Sequence, residues 1–309
     1  MTTAPSPELM LQVTGLRKTY GHLVAVDGLD FEVRRGEIFG LLGANGAGKT
    51  TAVECIQGLR TFDAGKVMVA GLDPSKHPDQ LRQRIGCQLQ QSALPENIRV
   101  WEALQLFSSF YAKPLDWRVL MEQWGLAEKR NARFHSLSGG QKQRLFVALA
   151  LVNNPQVVFL DEMTTGLDPA ARHVAWKLVE DLRAQGTTVV LVTHFMDEAE
   201  RLCDRLGVME RGRLIALDTP RGLVAAHGGG IRAVFSCDAP DDLGFLAEVR
   251  GVSDVRRSGR LVEVAGDGKH VALVAAALVS HGIVPDDFHV TQPSLEDVFL
   301  RLTERTTEE

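Results

Sequence analysis

The sequence predicts an α/β protein organised around a parallel β-sheet, and two observations support this prediction. Three short apolar runs, residues 37–42, 157–160 and 187–192, are typical of parallel strands that are buried on both faces. Each run is followed by residues that can do chemistry, and open parallel sheets bind their ligands beyond the carboxyl ends of the strands. We therefore expect one edge of one sheet to carry the functional site.

The residues before the first run predict an antiparallel sheet at the N-terminus. Residues 1–8 contain neither basic residues nor an apolar core, so they are predicted to form a flexible arm and not a signal peptide. Residues 9–14 and 29–33 alternate or run apolar between glycines, as strands do. Tyr20, with small apolar residues as far as Val26 nearby, could stack on an adenine; an aromatic side chain of the core or of an edge strand is the alternative.

The first apolar run leads into a stretch that matches the pattern G-x-x-x-x-G-K-[ST]. The strand before it and the helical segment after it provide the context that this motif requires. Its glycines let successive backbone N–H groups point at a phosphate chain, and the helix N-terminus adds a partial positive charge. Lys49 would reach the β- and γ-phosphates, and the Thr50 hydroxyl would hold Mg²⁺. The stretch thus predicts a nucleoside-triphosphate site formed by Gly43, Asn45, Gly46, Ala47, Gly48, Lys49, Thr50 and Thr51.

A second candidate anion site lies beyond two helices predicted within residues 100–124. The stretch 137–141, Leu-Ser-Gly-Gly-Gln, opens a helix for which Ser138 is a natural N-cap. Gly139 and Gly140 would allow close approach to the free N–H groups of that helix. A Ser-Gly-Gly turn alone is commonplace, so its meaning depends on the residues around it.

The other two apolar runs end in titratable residues. Asp161 and Glu162 follow the second run, and His194 follows the third. Taken singly, the two carboxylates could form a solvated turn and the histidine could be a capping residue. Together with Lys49 at the same sheet edge, they predict a site around a γ-phosphate.

Length and charge narrow the class of protein. The chain has 309 residues, enough for about two domains, and 45% apolar residues, which is ordinary for a globular protein. Residues 1–218 carry 25 basic and 25 acidic side chains, and residues 219–309 carry 9 and 14. Neither part has the basic footprint of a nucleic-acid binder, so no nucleic-acid partner is expected. The four cysteines are far apart, which favours free thiols over a disulfide frame or a metal site.

The chain resembles the ATP-binding subunit of an ABC transporter. The resemblance lies in the order of four features along the sequence: the phosphate loop, the Leu-Ser-Gly-Gly-Gln stretch, Asp161-Glu162 and His194. The resemblance covers residues 9–220 and implies a P-loop NTPase cassette with a RecA-like core, an N-terminal antiparallel β-subdomain and a helical subdomain. It also implies ATP and Mg²⁺ as cofactors. The stretch 165–168 is similar to the family's D-loop, which makes Asp168 a nucleotide-site residue.

The resemblance implies a role for each residue at the sheet edge. Asp161 would hold Mg²⁺ through a water, together with Thr50, and Glu162 would orient or deprotonate the attacking water. His194 would contact the γ-phosphate and stabilise the developing charge, with Lys49 as a further catalytic group. Gln90 is similar to the Q-loop glutamine, which would touch the metal and the water beside the membrane partner. Tyr20 is similar to the family's adenine-stacking aromatic residue.

The signature residues of this family, here Ser138, Gly139, Gly140 and Gln141, act on the ATP of an opposing cassette. The chain has one phosphate loop and one signature stretch, so the resemblance implies a head-to-tail dimer with itself or with a paralogue. Met163 stands where the family usually has proline and is expected to loosen the turn after Glu162. Cys87 and Leu89 also differ from the commonest residues before the Q-loop glutamine.

Composition changes after residue 220, and the glycines at 228–230 predict a flexible joint. The following pattern predicts strands at 231–236, 252–256, 260–264 and 287–291, helices at 241–250 and 270–281, and a last helix from Ser294. This βαββαβ order is that of a ferredoxin-like split unit, so residues 221–309 are predicted to form an accessory α+β domain. The ending Pro-Ser-Leu-Glu-Asp-Val-Phe-Leu at 293–300 resembles that of export-type subunits, including drug- and antibiotic-resistance exporters.

The leading hypothesis is an ATPase that powers export of a drug, lipid or polymer through a separate membrane permease. The longest apolar run, residues 271–279, is shorter than the ~20 residues of a membrane helix, so the chain is expected in the cytoplasm, attached to the inner membrane face through the permease. The alternative is a soluble ABC ATPase that works mechanically on ribosomes or DNA. Known proteins of that kind usually carry two cassettes or long coiled-coil insertions, and this chain has neither. A P-loop kinase or GTPase does not explain the signature stretch or His194.

Overall fold

The computed structural model describes residues 8–88, 93–237, 243–285 and 287–308, and it divides the chain into two compact units, Met1–Thr219 and Pro220–Glu309. The predicted N-terminal arm lies outside the described residues except for Glu8, whose carboxylate lies 2.7 Å from Nε of Arg35.

The described strands are β1 Leu9–Tyr20, β2 Leu23–Arg34, β3 Ile38–Gly43, β4 Ala64–Val69, β5 Ile85–Gln88, β6 Val157–Asp161, β7 Thr188–Thr193, β8 Arg205–Glu210, β9 Arg213–Asp218, β10 Ile231–Ser236, β11 Val252–Ser258, β12 Leu261–Gly266 and β13 His289–Thr291. The described helices are α1 Lys49–Ile56, α2 Pro78–Arg82, α3 Val100–Ser108, α4 Trp117–Gln123, α5 Gly139–Leu151, α6 Pro169–Ala184, α7 Met196–Leu202, α8 Pro220–His227, α9 His270–Ser280 and α10 Leu295–Glu308.

The larger sheet of the first unit has the strand order β5-β6-β7-β3-β8-β9. Its neighbouring strands are parallel except for β8 and β9, which pair antiparallel. Every residue of β3, β6 and β7 is buried, as the apolar runs predict for strands covered on both faces. Because these three strands are parallel neighbours, the residues that follow them meet at one edge of the sheet.

The smaller sheet of this unit has the order β2-β1-β4 and is antiparallel, as predicted. The rings of Phe31 on β2 and Phe39 on β3 stack with their centroids 4.9 Å apart, which joins the two sheets in one hydrophobic core. Helices α3, α4 and α5 pack against one another as a helical subdomain. The predicted fold class of a cassette with a parallel core sheet is confirmed.

The second unit contains an antiparallel sheet with the order β11-β12-β10-β13. The first and third strands therefore pair at its centre, as in a split βαβ unit. One face packs against α9 through a core that includes Phe235, Val264 and Val274. The predicted helix 241–250 is instead a short 3₁₀ helix, Gly244–Glu248, and its first two residues lie outside the described ones. Short segments that bury few residues commonly take this form.

The glycines at 228–230 lie inside the second unit, between α8 and β10, and not at its border. Gly229 and Gly230 have φ values of 81° and 86°, which favour glycine. A Cβ on Gly230 would lie 2.5 Å from the backbone oxygen of Gly266. Close backbone packing therefore explains a glycine at 230, and the flexible joint at 228–230 stays a prediction for a segment inside the second unit.

Candidate active site

The phosphate loop connects β3 to α1, and two of its glycines are required by close backbone contacts. Gly48 has φ 99°, and a Cβ there would lie 2.2 Å from the carbonyl oxygen of Ala25. A Cβ on Gly43 would lie 2.5 Å from the carbonyl oxygen of Met209. The loop is thus pressed between β2 and the end of β8, a position that no residue with a side chain could share.

Lys49 is the first residue of α1, and its side chain curls back over the loop. Its Nζ donates hydrogen bonds to the carbonyl oxygens of Gly43, at 2.7 Å, and Ala44, at 3.0 Å. Only 6% of the residue is exposed, and this burial lowers the pKa of the ammonium group, while Glu162 and Asp161 oppose the shift. A buried cation therefore lies within the loop that the motif assigns to phosphates.

Asp161 is the last residue of β6 and is 4% exposed. Burial raises the pKa of its carboxyl group to about 6, the charge of Glu162 adds to this rise, and Lys49 and the Thr50 hydroxyl oppose it. Its Oδ1 has no hydrogen-bond partner among the described residues. A buried carboxylate oxygen that lacks a partner beside a threonine hydroxyl fits a hard cation such as Mg²⁺, which prefers oxygen ligands.

Glu162 adopts an unusual backbone conformation, with φ 51°. Its N–H donates to the carbonyl oxygen of Val192 at 2.8 Å, and its Oε1 lies 3.1 Å from Nδ1 of His194. Non-glycine residues in this region are strained by about 1–3 kcal/mol and cluster at functional sites. The structure therefore brings together the glutamate and the histidine that the sequence placed after different strands.

The turn after Glu162 is hydrogen-bonded, although Met163 stands where the family usually has proline. The N–H of Thr165 donates to the carbonyl oxygen of Glu162 at 3.1 Å, and that of Leu167 donates to Thr164 at the same distance. The Met163 side chain is buried. The effect of Met163 on the stiffness of this turn stays a prediction.

A cleft of about 580 Å³ opens above the phosphate loop. Tyr20 lies on its wall and is 40% exposed, and Lys18 and Arg60 lie over its ring, 5.3 Å and 5.7 Å from the ring centroid. Gly43 and Ala47 belong to the loop but do not line the cleft. The cleft is lined by Tyr20, Leu23, Val24, Ala25, Asn45, Gly46, Gly48, Lys49, Thr50, Thr51, Glu162, Arg211 and Gly212.

Val26 is not a cleft residue, which corrects the prediction. It is fully buried, and Val24 and Ala25 line the cleft instead. Val26 and Leu29 are both buried because the pairing of β1 with β2 passes from Leu16–Leu29 to Arg17–Asp27, which makes Gly28, with φ 70°, the extra residue of a β-bulge. This bulge shifts the side-chain alternation between Leu29 and Val26, and a simple alternation along the strand cannot reveal it.

Arg211 and Gly212 were missed because they lie far from the motifs in sequence. They form the turn between β8 and β9, and the N–H of Gly212 donates to the carbonyl oxygen of Ala47 at 2.9 Å. Gln88, at the end of β5, was also missed; its Nε2 donates to the backbone oxygen of Asp161 at 3.1 Å. The predicted Gln90 lies outside the described residues.

The signature residues do not line the cleft of their own chain. Ser138 caps α5 in a reciprocal capping box: its Oγ accepts from Gln141 N–H at 3.3 Å, and its own N–H donates to Gln141 Oε1 at 3.0 Å. Gly140 lies against Leu167, whose Cδ2 would be 3.4 Å from an added Cβ. Asp168 caps α6 by accepting from Ala171 N–H at 2.9 Å.

Comparisons with known proteins agree with this geometry. A family model described as ABC transporter matches residues 26–165. The chain is 41% identical over 304 residues to Nod factor export ATP-binding protein I of Ralstonia nicotianae, covering 96% of this chain and 94% of that protein. This chain belongs to the ABC transporter family. It is also 38% identical over 309 residues to daunorubicin resistance ATP-binding protein DrrA2 of Streptomyces coeruleorubidus, covering 96% of each.

Solved structures show the same cassette. The structure of an ATP-binding subunit of an ABC transporter matches with TM-score 0.65 and 27% identity, covering 71% of this chain and 93% of its own. A dimeric bacterial ABC transporter cassette matches with TM-score 0.63 and 26% identity, covering 68% of this chain and 98% of its own. This ABC protein is therefore an ATP-binding, ATP-hydrolysing subunit of the export type. The alternative hypothesis, a soluble ABC ATPase that works mechanically on ribosomes or DNA, is not favoured. No helix among the described residues has the length and apolarity to cross a bilayer.

Proposed function

We propose that this ABC ATPase hydrolyses MgATP with its own Lys49, Asp161, Glu162 and His194, at a site that a second cassette completes. The hydrogen-bonded pair of Glu162 and His194, beside the buried Lys49, is the observation that carries this proposal. Glu162 would orient the attacking water and accept its proton, and His194 would stabilise charge on the γ-phosphate. Asp161 and Thr50 would hold Mg²⁺, which neutralises phosphate charge when it is bound.

The second cassette would supply Ser138, Gly139, Gly140 and Gln141 to the ATP. In this chain these residues lie outside the cleft, at the N-terminus of α5, where free N–H groups favour an anion. Two cassettes arranged head to tail would place each signature helix over the cleft of the other chain. The dimeric structure of a related cassette supports this arrangement.

Mixing two inactive variants tests this shared site. Glu162→Gln removes the proposed base, and Ser138→Arg blocks the signature of the same chain. A mixed dimer contains one intact site, so we expect an equal mixture to recover phosphate release to about one quarter of the wild-type level. Mixing Glu162→Gln with His194→Ala is the matched control. Both changes lie in the half of the shared site that contains the phosphate loop, so neither site of a mixed dimer is intact. If the first mixture stays as inactive as the control, a second copy of this chain does not complete the site.

The permease would dock in a groove of about 430 Å³ beside the end of β5. Leu94, Phe107 and Tyr111 line it, and the exposed Phe110 lies next to Phe107 with a ring distance of 5.8 Å. An exposed apolar groove fits an amphipathic helix of a membrane partner. Gln88 also lines this groove and binds the backbone of Asp161, so a docked helix would lie one hydrogen bond away from the proposed metal ligand.

A tagged pull-down from mildly solubilised native membranes tests the permease. We expect a stoichiometric multi-span protein in the mass spectrum, and we expect Leu94→Glu to lose it. Val174→Glu, an exposed valine on α6 outside the groove, should retain it. Recovery of the same partner by both variants would place the docking surface elsewhere, and recovery of ribosomal or chromosomal proteins alone would refute a transport role.

The relatives' names, which mention Nod factor export and daunorubicin resistance, support a role in export. We infer that the exported compound is a drug, lipid or polymer and that the chain acts at the cytoplasmic face of the membrane. The second unit would regulate dimerisation or coupling and not nucleotide binding. Deletion of residues 222–309 should therefore leave ATP affinity intact and reduce export from cells. Unchanged export would refute this role.

A further inference from the structure

The imidazole of His194 is only partly buried, with 34% of its side chain exposed. Its Nδ1 lies 3.1 Å from Oε1 of Glu162. A histidine side chain rotates about two bonds, and partial burial does not fix its direction by itself. A misplacement of about 1 Å at a catalytic site can reduce a rate by about 100-fold, so the contacts that orient this ring matter for turnover.

The first of these contacts is with the next residue in the chain. The rings of His194 and Phe195 have their centroids 4.1 Å apart, with an angle of 38° between the ring planes. Phe195 is the N-cap residue of α7, and its N–H donates to Oγ1 of Thr193 at 3.0 Å. This hydrogen bond spans His194 along the chain, and the phenyl ring limits the rotation of the imidazole.

The Phe195 ring is in turn covered by a cation from another helix. The guanidinium carbon of Arg172 lies 4.5 Å from the centroid of this ring, within the ~6 Å of a cation–π contact. Nη1 of Arg172 donates to Oδ2 of Asp197, on α7, at 3.2 Å. Nε of Arg172 is buried and has no hydrogen-bond partner among the described residues. The aromatic ring and Asp197 therefore fix the guanidinium group.

Arg172 starts from a regular part of the structure. It lies in the first turn of α6, and its N–H donates to the carbonyl oxygen of Asp168 at 2.9 Å. Arg172, Phe195 and His194 thus form a row in which each side chain contacts the next. The last member of this row reaches Glu162. Direct contacts between side chains therefore connect a helix outside the cleft with the proposed catalytic pair.

We propose that Arg172 and Phe195 are positioning residues for ATP hydrolysis. The guanidinium group holds the phenyl ring, and the phenyl ring holds the imidazole of His194 towards Glu162. This inference rests on the proposed catalytic roles of His194 and Glu162. Neither Arg172 nor Phe195 lines the nucleotide cleft, so their effect falls on kcat and not on ATP affinity.

Substitutions in the full-length chain test this role by separating turnover from binding. Arg172→Ala should lower kcat by about 10-fold and leave the ATP dissociation constant within about two-fold of wild type. Phe195→Leu removes the ring and should lower kcat by a similar factor, whereas Phe195→Tyr keeps the ring and should retain most of the turnover. Glu200→Gln, which removes an exposed charge from α7, should turn over normally. Normal turnover in Arg172→Ala, or equal losses in Phe195→Leu and Phe195→Tyr, would overturn a role that acts through the aromatic ring.

Arg201→Ala is the matched control, because Arg201 makes the same kinds of contact between α7 and α6. Its guanidinium carbon lies 5.5 Å from the centroid of the Trp176 ring, and its Nη2 lies 3.4 Å from Oε1 of Glu180. Neither contact involves His194, so this variant should keep its turnover. A loss in Arg201→Ala equal to that in Arg172→Ala would show that any weakened contact between the two helices lowers turnover, and it would overturn the specific role of Arg172.

A double-mutant cycle shows whether the row acts through His194. In a His194→Ala background the imidazole is absent, so Arg172→Ala should add at most a two-fold further loss. Multiplicative losses would show that Arg172 acts elsewhere and would overturn the inference. Should Arg172→Ala fail to fold, Phe195→Leu takes its place in the same cycle. Full turnover in His194→Ala would refute the proposed role of His194 and this inference with it, whereas a loss in His194→Ala beside normal turnover in Arg172→Ala would refute this inference alone.

Discussion

Two regions of the first unit differ in how their polar groups are hydrogen-bonded. One is the sheet edge with the phosphate loop, and the other is the signature helix, α5 with Ser138 at its N-terminus. At the sheet edge, the buried Lys49 and Asp161 have pKa values shifted by burial, and Oδ1 of Asp161 has no hydrogen-bond partner among the described residues. At the signature helix, Ser138 and Gln141 satisfy each other's backbone groups at the surface. The first region is therefore incomplete without a charged ligand, whereas the second is stable as it stands.

This difference separates the two halves of a shared site. The sheet edge is costly to maintain in a ligand-free chain, because buried charges lose hydration. The signature helix is a preformed surface that offers its N-terminus to an anion without any change of its own. Substitutions in the first region should consequently change chemistry, affinity or the stability of the metal-free protein, and those in the second should affect assembly and turnover.

The largest expected effect is the loss of turnover in Glu162→Gln. The amide keeps the size of the side chain but cannot accept a proton from water, and general base catalysis contributes about 10²–10⁴-fold. We expect phosphate release to fall by about that factor while ATP binding persists, so that MgATP traps a dimer visible by light scattering. Glu200→Gln should turn over normally. A Glu162→Gln protein that remains monomeric with MgATP would contradict the proposal that the cleft of one chain meets the signature helix of a second chain.

The next effect is the loss of nucleotide affinity in Lys49→Ala. A charge-assisted hydrogen bond contributes about 1.5–3 kcal/mol, which corresponds to about 10–100-fold in the dissociation constant. Titration with a fluorescent ATP analogue measures this loss. Lys142→Ala, which removes a lysine on the signature helix, is the comparison and should bind ATP normally. Equal affinities for the wild type and Lys49→Ala would remove Lys49 from the phosphate site.

The third effect concerns the stability of the metal-free protein. Because the Asp161 pKa is raised to about 6, the folded chain binds a proton that the unfolded chain releases near pH 4, and stability falls as pH rises across that window. At pH 7 Asp161→Asn should therefore stabilise the protein in EDTA by up to about 3 kcal/mol, at about 1.4 kcal/mol per pKa unit. The gain should shrink towards pH 5. With MgATP the order should reverse, because the wild type gains stability from a ligand that the variant binds poorly; thermal unfolding with and without MgATP measures both.

The sequence predicts one part of the site better than the other for physical reasons. Lys49, Asp161 and His194 follow uninterrupted buried strands, and parallel strands must end at a common edge. The prediction for Val26 was wrong because a bulge at Gly28 shifts the strand alternation, and a single glycine in a strand does not by itself show that the register changes there. Arg211 was missed because β8 pairs with β3 across more than 160 residues, and strand order is not encoded in any local pattern.

The smallest expected effect on stability belongs to the signature helix. Ser138→Ala removes an N-cap, which costs about 1 kcal/mol of folding free energy, and Asp116→Ala removes the cap of α4 at a similar cost. Equal stability losses measured by urea unfolding would make these two variants a matched pair. Ser138→Ala should then lose more turnover at saturating ATP than Asp116→Ala, since only a group that meets the opposing nucleotide has an effect beyond its cap. Equal turnover in the two variants would mean that Ser138 serves its own helix alone, and the preformed surface would lose its assigned role in the shared site.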